Sequence, residues 1–141
     1  MKQIAILGFG TVGGGVADII TDSADLIASS VGEPLVLKRI LDLRDFPGNR
    51  FESLLTKSFE DILNDQDITI VVECLGGKTF AYDYTKRLLA AGKSVITSNK
   101  DLVAAYGSEL LALAFQNNAH YMFEASVGGG IPIIQIGRAH V

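Results

Sequence analysis

Short apolar runs and amphipathic stretches alternate along this chain from one end to the other. The first run, "QIAILG", is continuous and reads as a buried strand. In "TVGGGVADIITDSADLIASS", Val12, Val16, Ile19 and Ile20 recur at helical spacing. The glycines there lower helix propensity, so they serve another purpose. "PLVLKRILDL" predicts a second strand, and Pro47, Gly48 and Asn49 carry turn chemistry. Ser58 followed by Asp61 resembles a capping box opening a short helix through Leu63. "DITIVVECLGG" predicts a strand ending in paired glycines, and "FAYDYTKRLLAAGK" an amphipathic helix closed by Gly92. "SVITSN" is another strand. "DLVAAYGSELLALAFQNN" is helical, with Gly107 as a candidate break, and "AHYMFEASVGGG" is a strand entering a glycine loop.

Strands alternating with helices predict an α/β fold. Continuously apolar strands predict a parallel sheet covered on both faces. In such sheets ligands sit at the carboxyl ends of the strands. The first strand ends in Gly8-Phe9-Gly10-Thr11-Val12-Gly13, which fits G-x-G-x-x-G between a strand and a helix. Gly8 permits the tight turn, Gly10 lets backbone approach a pyrophosphate, and Gly13 lets helix pack on strand. The helix N-terminus adds free N–H groups and partial positive charge. The expected architecture is therefore a Rossmann-type doubly wound parallel sheet that binds a dinucleotide. A glycine-rich turn without a ligand is the alternative reading of the same residues.

Asp42, at the end of the second strand, is the candidate for the ribose hydroxyls, although it lies farther from Gly13 than the ~20 residues of the simple fingerprint. A longer helix and loop through "TDSADLIASSVGEP" accounts for the distance. Asp42 favours NAD, while Arg44 and Arg39 leave NADP open. Leu75 and Gly76 follow the third apolar strand, in the same turn as Glu73 and Cys74. No histidine is near Cys74 in sequence, so it reads as a structural thiol. Ser98, Asn99 and Lys100 follow "VIT". Ser98 and Asn99 offer polar contacts or an N-cap. A lysine at that place can orient a carboxylate or carbonyl, or help move a proton. It also calls for an anionic partner, because a cation is unfavourable at a helix start. His120 has no metal-like partner nearby, and Tyr82, Tyr84 and Tyr106 read as packing residues.

Composition narrows the class. The chain has 141 residues, about one domain, with 48% hydrophobic residues. A net charge of −4 argues against nucleic-acid binding. No apolar run reaches the ~20 residues of a membrane span. The N-terminal run is too short and too quickly broken by glycine for a signal peptide. The single cysteine excludes an internal disulfide. A cytoplasmic protein is expected.

Four stretches resemble one family in the same order. "ILGFGTVGGGV", "VVECLGG", "YTKRLLAAGKSVITSNKDLVAAYGSELLALA" and "FEASVGGGIPII" look like the N-terminal half of homoserine dehydrogenase. The pairing of "TSNK" with "EASVGGGIPII" is much more specific than the glycine fingerprint. The resemblance implies reversible hydride transfer between L-homoserine and L-aspartate 4-semialdehyde with NAD or NADP, in threonine, methionine and isoleucine biosynthesis. It implies a catalytic role for Lys100, and cofactor contacts from Phe9, Gly10, Thr11, Val12, Leu75 and Ser98. It also implies a sodium site on backbone carbonyls of Glu124, Val127, Gly129 and Ile131, ligands that suit a hard cation. A homo-oligomer is expected of the full-length protein.

In the family, the "GGGIPII" loop leads into a substrate and dimerisation domain. That domain is expected to be absent here, with residues 1–135 forming a partial nucleotide domain. Residues 136–141, "IGRAHV", do not continue the family pattern and read as translated sequencing adapter. On that reading His140 and Arg138 have no role, and the chain alone is expected to be inactive. The competing reading is a stand-alone dinucleotide-binding regulatory module without catalysis. It accounts for the fingerprint but leaves Lys100 and "EASVGGGIPII" unexplained. A related semialdehyde or aspartate dehydrogenase would keep the fingerprint without "TSNK" and "GGGIP" together.

Overall fold

A computed structural model describes residues 1–124. The glycine loop, the boundary at 135 and the tail at 136–141 lie outside the described residues. Strand β1 (Lys2–Leu7) is followed by helices α1 (Thr11–Asp22) and α2 (Ala24–Val31), then β2 (Leu35–Leu41). A 3-10 turn (Glu52–Leu54) leads into a short β3 (Leu55–Thr56). The chain continues through α3 (Glu60–Leu63), β4 (Ile68–Glu73), α4 (Thr79–Ala90), β5 (Ser94–Thr97), α5 (Lys100–Gln116) and β6 (Tyr121–Phe123).

The six strands form one sheet in the order β3-β2-β1-β4-β5-β6. All pairings are parallel. This is the doubly wound Rossmann-like order, and its direction reverses between β1 and β4. Alternate side chains of one strand serve opposite cores. Ile4, Ile6, Ile70 and Val72 pack with Val16, Ile20 and Ile27 of α1 and α2. Ala5, Leu7, Val71 and Val95 pack with Ile62, Leu88 and Leu110 of α3, α4 and α5. Each fully buried aliphatic side chain contributes roughly 1.5–3 kcal/mol. Two covered faces explain why the strands read as continuous apolar runs.

Three expectations need correction, and one strand carries no signal in the sequence. The stretch after β1 is two helices, broken at Ser23 (φ −107°, ψ 25°), whose N–H donates to the Ile19 carbonyl. The break lets Ile27 and Val31 reach the core while Leu26 faces solvent. The capping box of Ser58 and Asp61 does not form: α3 has no side-chain cap, and the Asp61 carboxylate accepts the Thr56 hydroxyl instead. Helix α5 runs unbroken through Gly107, which is buried, and a Cβ there would lie 3.1 Å from Val103 Cγ1. Strand β3 gave no periodic signal, because two residues are too few to show one.

Candidate functional site

The expected site residues gather at the carboxyl ends of β1, β2, β4 and β5. Gly8 leaves β1 with φ +92°, and a Cβ there would come within 2.9 Å of the Cys74 carbonyl oxygen. Its N–H donates to the Leu41 carbonyl at 2.7 Å, tying the turn to β2. A Cβ on Gly13 would overlap the Gly8 carbonyl oxygen at 1.9 Å, so helix and turn touch through bare backbone. Gly10, which precedes α1, has open space where its Cβ would be. No side chain caps α1. An uncapped helix start beside an unfilled space is the setting an anionic phosphate needs. Thr11 and Val12 are exposed in this first turn, whereas Phe9 is buried edge-on against Phe46 and Phe51.

Asp42 follows β2, with its side chain only 9% exposed. Its Oδ2 accepts the Phe9 N–H at 2.9 Å, and Oδ1 accepts the Arg44 N–H at 2.9 Å. The Arg44 guanidinium grips both oxygens, with Nε and Nη2 each at 3.0 Å. Arg44 beside Asp42 holds its carboxyl down at about 2, against the desolvation that would raise it. Arg44 itself is exposed and stacks over Phe46, 5.2 Å from the ring centroid. A cavity of about 270 Å³ opens beside this pair, lined by Leu41, Asp42, Arg44, Leu75, Phe80 and Tyr84. Its mostly apolar walls, with the Asp42–Arg44 pair at the rim, suit a flat base. Tyr84 has a second role beyond the packing expected of it. It does stack on Phe59, at 4.1 Å, yet it also lines this cavity with the exposed Phe80. A second recess beside it is lined by Asp42, Arg44, Asp45, Glu52 and Lys57, with Lys57 paired to Asp45 at 2.9 Å. Nothing in the periodic pattern marks Phe80 or Lys57.

Leu75 and Gly76 follow β4 as expected. Burial and the charge of Glu73 push the Cys74 thiol up to about 12, so it is no thiolate near neutral pH. After β5, Asn99 caps α5, its Oδ1 accepting the Leu102 N–H at 3.1 Å. Its Nδ2 donates to the Gly77 carbonyl at 2.6 Å, joining the loops after β4 and β5. Ser98 is half-buried. Lys100 is the first residue of α5 and exposed, and among the described residues it makes no ion pair. Arg39 lies within β2, before the end where the site is built. His120 is exposed, and no cluster of metal-ligating side chains occurs among the described residues. Of the four expected sodium ligands, only Glu124 is described, its N–H donating to the Thr97 carbonyl at 2.9 Å. Val127, Gly129 and Ile131 lie outside the described residues.

The model of the homoserine dehydrogenase NAD-binding domain matches residues 8–124. The chain belongs to the homoserine dehydrogenase family. It is 42% identical over 137 residues to the homoserine dehydrogenase of Bacillus subtilis, covering 94% of this chain and 31% of that protein. The Lactococcus lactis enzyme is 40% identical over 141 residues, covering 94% and 32%. Among solved structures, S. aureus homoserine dehydrogenase superposes with a TM-score of 0.79 at 38% identity, over 88% of this chain and 32% of that one. A hyperthermophilic archaeal homoserine dehydrogenase in complex with NADPH superposes with a TM-score of 0.70 at 29% identity, over 89% and 44%. The chain thus spans about a third of the length of the curated relatives it matches. What it carries is the nucleotide-cofactor part of a homoserine dehydrogenase. No helix among the described residues is long and apolar enough to cross a membrane.

Proposed function

We propose that this chain is the cofactor half of an NADP-dependent homoserine dehydrogenase. The observation that carries the reading is the joint of turn and acid. Phe9 of the glycine turn donates to Asp42 at 2.9 Å while Arg44 forks the same carboxylate. Asp42 is therefore committed to holding the turn. Arg44, exposed beside it, uses Nε and Nη2 on Asp42 and offers Nη1 where a 2′-phosphate would lie. Arginine suits phosphate through its planar fork. A hyperthermophilic archaeal relative has been solved in complex with NADPH, which supports binding of a phosphorylated cofactor to this domain type.

In this reading the turn at residues 8–13 and the start of α1 take the pyrophosphate, and the cavity bounded by Leu75 and Phe80 takes the adenosine. Gly76 and Ser98 border the path toward β5. When bound, the nicotinamide supplies the hydride acceptor or donor. Oxidising the homoserine alcohol to L-aspartate 4-semialdehyde takes one hydride from carbon and one proton from oxygen. Lys100, at the crevice end of α5, is placed to orient the substrate and to hold or move that proton at Nζ. The protein works in the cytoplasm, as a homo-oligomer. A sodium ion on the carbonyls of Glu124, Val127, Gly129 and Ile131 belongs to the same proposal, and no step is routed through it. Dependence of the homoserine reaction on sodium tests it.

Fluorescence titration of the chain with NADPH and NADH tests the cofactor reading. NADPH is expected to bind more tightly, and Arg44→Ala to weaken NADPH about tenfold with little effect on NADH, the size of one lost charge-assisted contact. Tighter binding of NADH would reverse the preference. Binding of neither would sink the reading. For activity, residues 1–124 joined to the remainder of the B. subtilis relative should oxidise homoserine.

A further inference from the structure

Glu73 stands apart among the buried groups. It is fully buried at the last position of β4, in register with Thr97 at the end of β5. Burying a carboxylate is costly unless its oxygens are well served. Here they are: Oε2 accepts the Leu75 N–H at 2.7 Å, and Oε1 accepts the Thr97 hydroxyl at 2.7 Å. The Thr97 hydroxyl in turn accepts the Asn99 N–H at 2.9 Å. Asn99 caps the helix that begins at Lys100 and reaches back to Gly77. A closed circuit thus runs from the loop after β4, through Glu73 and Thr97, to the loop after β5. Burial pushes the Glu73 carboxyl above the usual range, and bonds from Thr97, Leu75 and Asn99 pull it back. A core filler would need none of this polarity. The circuit lies at the crevice end of the sheet, beside the groups assigned to the cofactor.

We propose that Glu73 is a positioning residue: through Thr97 and Asn99 it fixes the loop bearing Ser98 and Lys100 relative to the loop after β4, which carries Leu75 and Gly76, and so sets the seat of the nicotinamide half of the cofactor. The inference rests on the cofactor reading above. Asp42 and Arg44 lie after β2, on one side of the turn, while Thr97 ends β5 and Ser98 to Lys100 follow it, on the other. The adenosine and nicotinamide halves therefore report on different loops.

The test uses the whole 141-residue chain. It is titrated with NADPH and with 2′,5′-ADP, which lacks the nicotinamide half, or with NADH and ADP if that pair binds better. Glu73→Gln offers one amide acceptor to two donors. Thr97→Val removes the hydroxyl at nearly constant shape, and Thr97→Ser keeps it. Glu73→Gln and Thr97→Val are expected to raise the NADPH Kd roughly tenfold, the scale of a lost buried hydrogen bond to a charged group. The 2′,5′-ADP Kd should stay within about twofold, and Thr97→Ser should bind NADPH like the wild type. Equal losses for both ligands in step with a lower Tm would make Glu73 merely structural and overturn the proposal. So would unchanged NADPH binding in both variants. If Glu73→Gln does not fold, the contrast between Thr97→Val and Thr97→Ser decides alone. A wild-type chain that binds neither ligand overturns the cofactor reading itself, a result distinct from differential loss failing to appear.

Discussion

Gly13 sits directly beneath Gly8, so close that a Cβ on Gly13 would lie 1.9 Å from the Gly8 carbonyl oxygen. Helix α1 and the end of β1 meet there without any side chain between them. Gly13→Ala must push the helix off the turn. We expect it to cost about 1–3 kcal/mol, the range of overpacked sites, and to abolish cofactor binding. Gly10→Ala is the informative contrast. Its Cβ would enter open space, so the melting temperature of the free chain should hardly move. That space is where phosphate is expected, so NADPH affinity should still fall. Thermal melts and titrations of the two variants separate building the turn from leaving it open.

Asp42 predicts an acid-sensitive joint between β2 and the turn. Its folded-state carboxyl is held at about 2, below the ordinary 3.8. A depressed acid stabilises the fold above its unfolded value and loses that contribution as pH falls through the folded one. Stability attributable to Asp42 should therefore be intact above about pH 4 and vanish toward pH 2. Its size is on the order of 1–2 kcal/mol once the exposure of Arg44 is allowed for. Denaturant melts across this window should show a smaller decline in Asp42→Asn than in the wild type.

Much of this architecture was legible in the sequence, and the reasons are specific. Strands β1, β4 and β5 are buried on both faces, so they appear as unbroken apolar runs. The fingerprint glycines are readable because Gly8 and Gly13 meet backbone that no side chain could approach. The turn after β2 was visible in Pro47 and Gly48, but β3 was not. Two residues pair with Ile40 and Leu41 only because the sheet edge is already there. The false capping box at Ser58 has a similar origin. Thr56, held by β3, takes Asp61 before Ser58 can use it. At the site, position along the strands puts Asp42, Leu75 and Lys100 at the crevice end, and the structure places them there. Position does not show that Asp42 is engaged by Phe9, because that contact spans 33 residues and depends on the order of strands. Glu73 shows no role within its own turn, since its partner Thr97 lies on the neighbouring strand.

Lys93 is a cation held at the opposite end of the sheet. Its Nζ donates to the carbonyls of Asp65 and Ile68, each at 2.6 Å, and the residue is buried. Lys93→Met keeps the stem but leaves two carbonyls poorly served. We expect a loss of about 1–3 kcal/mol in chemical denaturation, with NADPH affinity of the folded chain unchanged. A variant that bound cofactor poorly while folding normally would contradict this division of labour between the two ends.

Lys100 carries the catalytic expectation. In the chimera with the B. subtilis relative, Lys100→Ala should lower kcat for homoserine oxidation by about 10²–10⁴, the range of a lost proton-transfer group. Lys100→Arg, which keeps charge but not the proton-transfer character, should recover little of it. Steady-state kinetics with saturating NADP would show this, and a loss confined to KM would reassign Lys100 to substrate binding alone.

The strand order also dictates a timetable. β1 is translated first, yet it lies inside the sheet between β2 and β4. One of its edges waits for Ile68–Glu73 to leave the ribosome, a delay of several seconds at about 5–20 residues per second. Through that interval Ala5 and Leu7 lack two of the helices that later cover them, because α4 and α5 both follow β4 in the chain. The nascent chain thus exposes apolar strand surface during its synthesis, and slowing translation between the codons of β2 and β4 should lengthen that exposure.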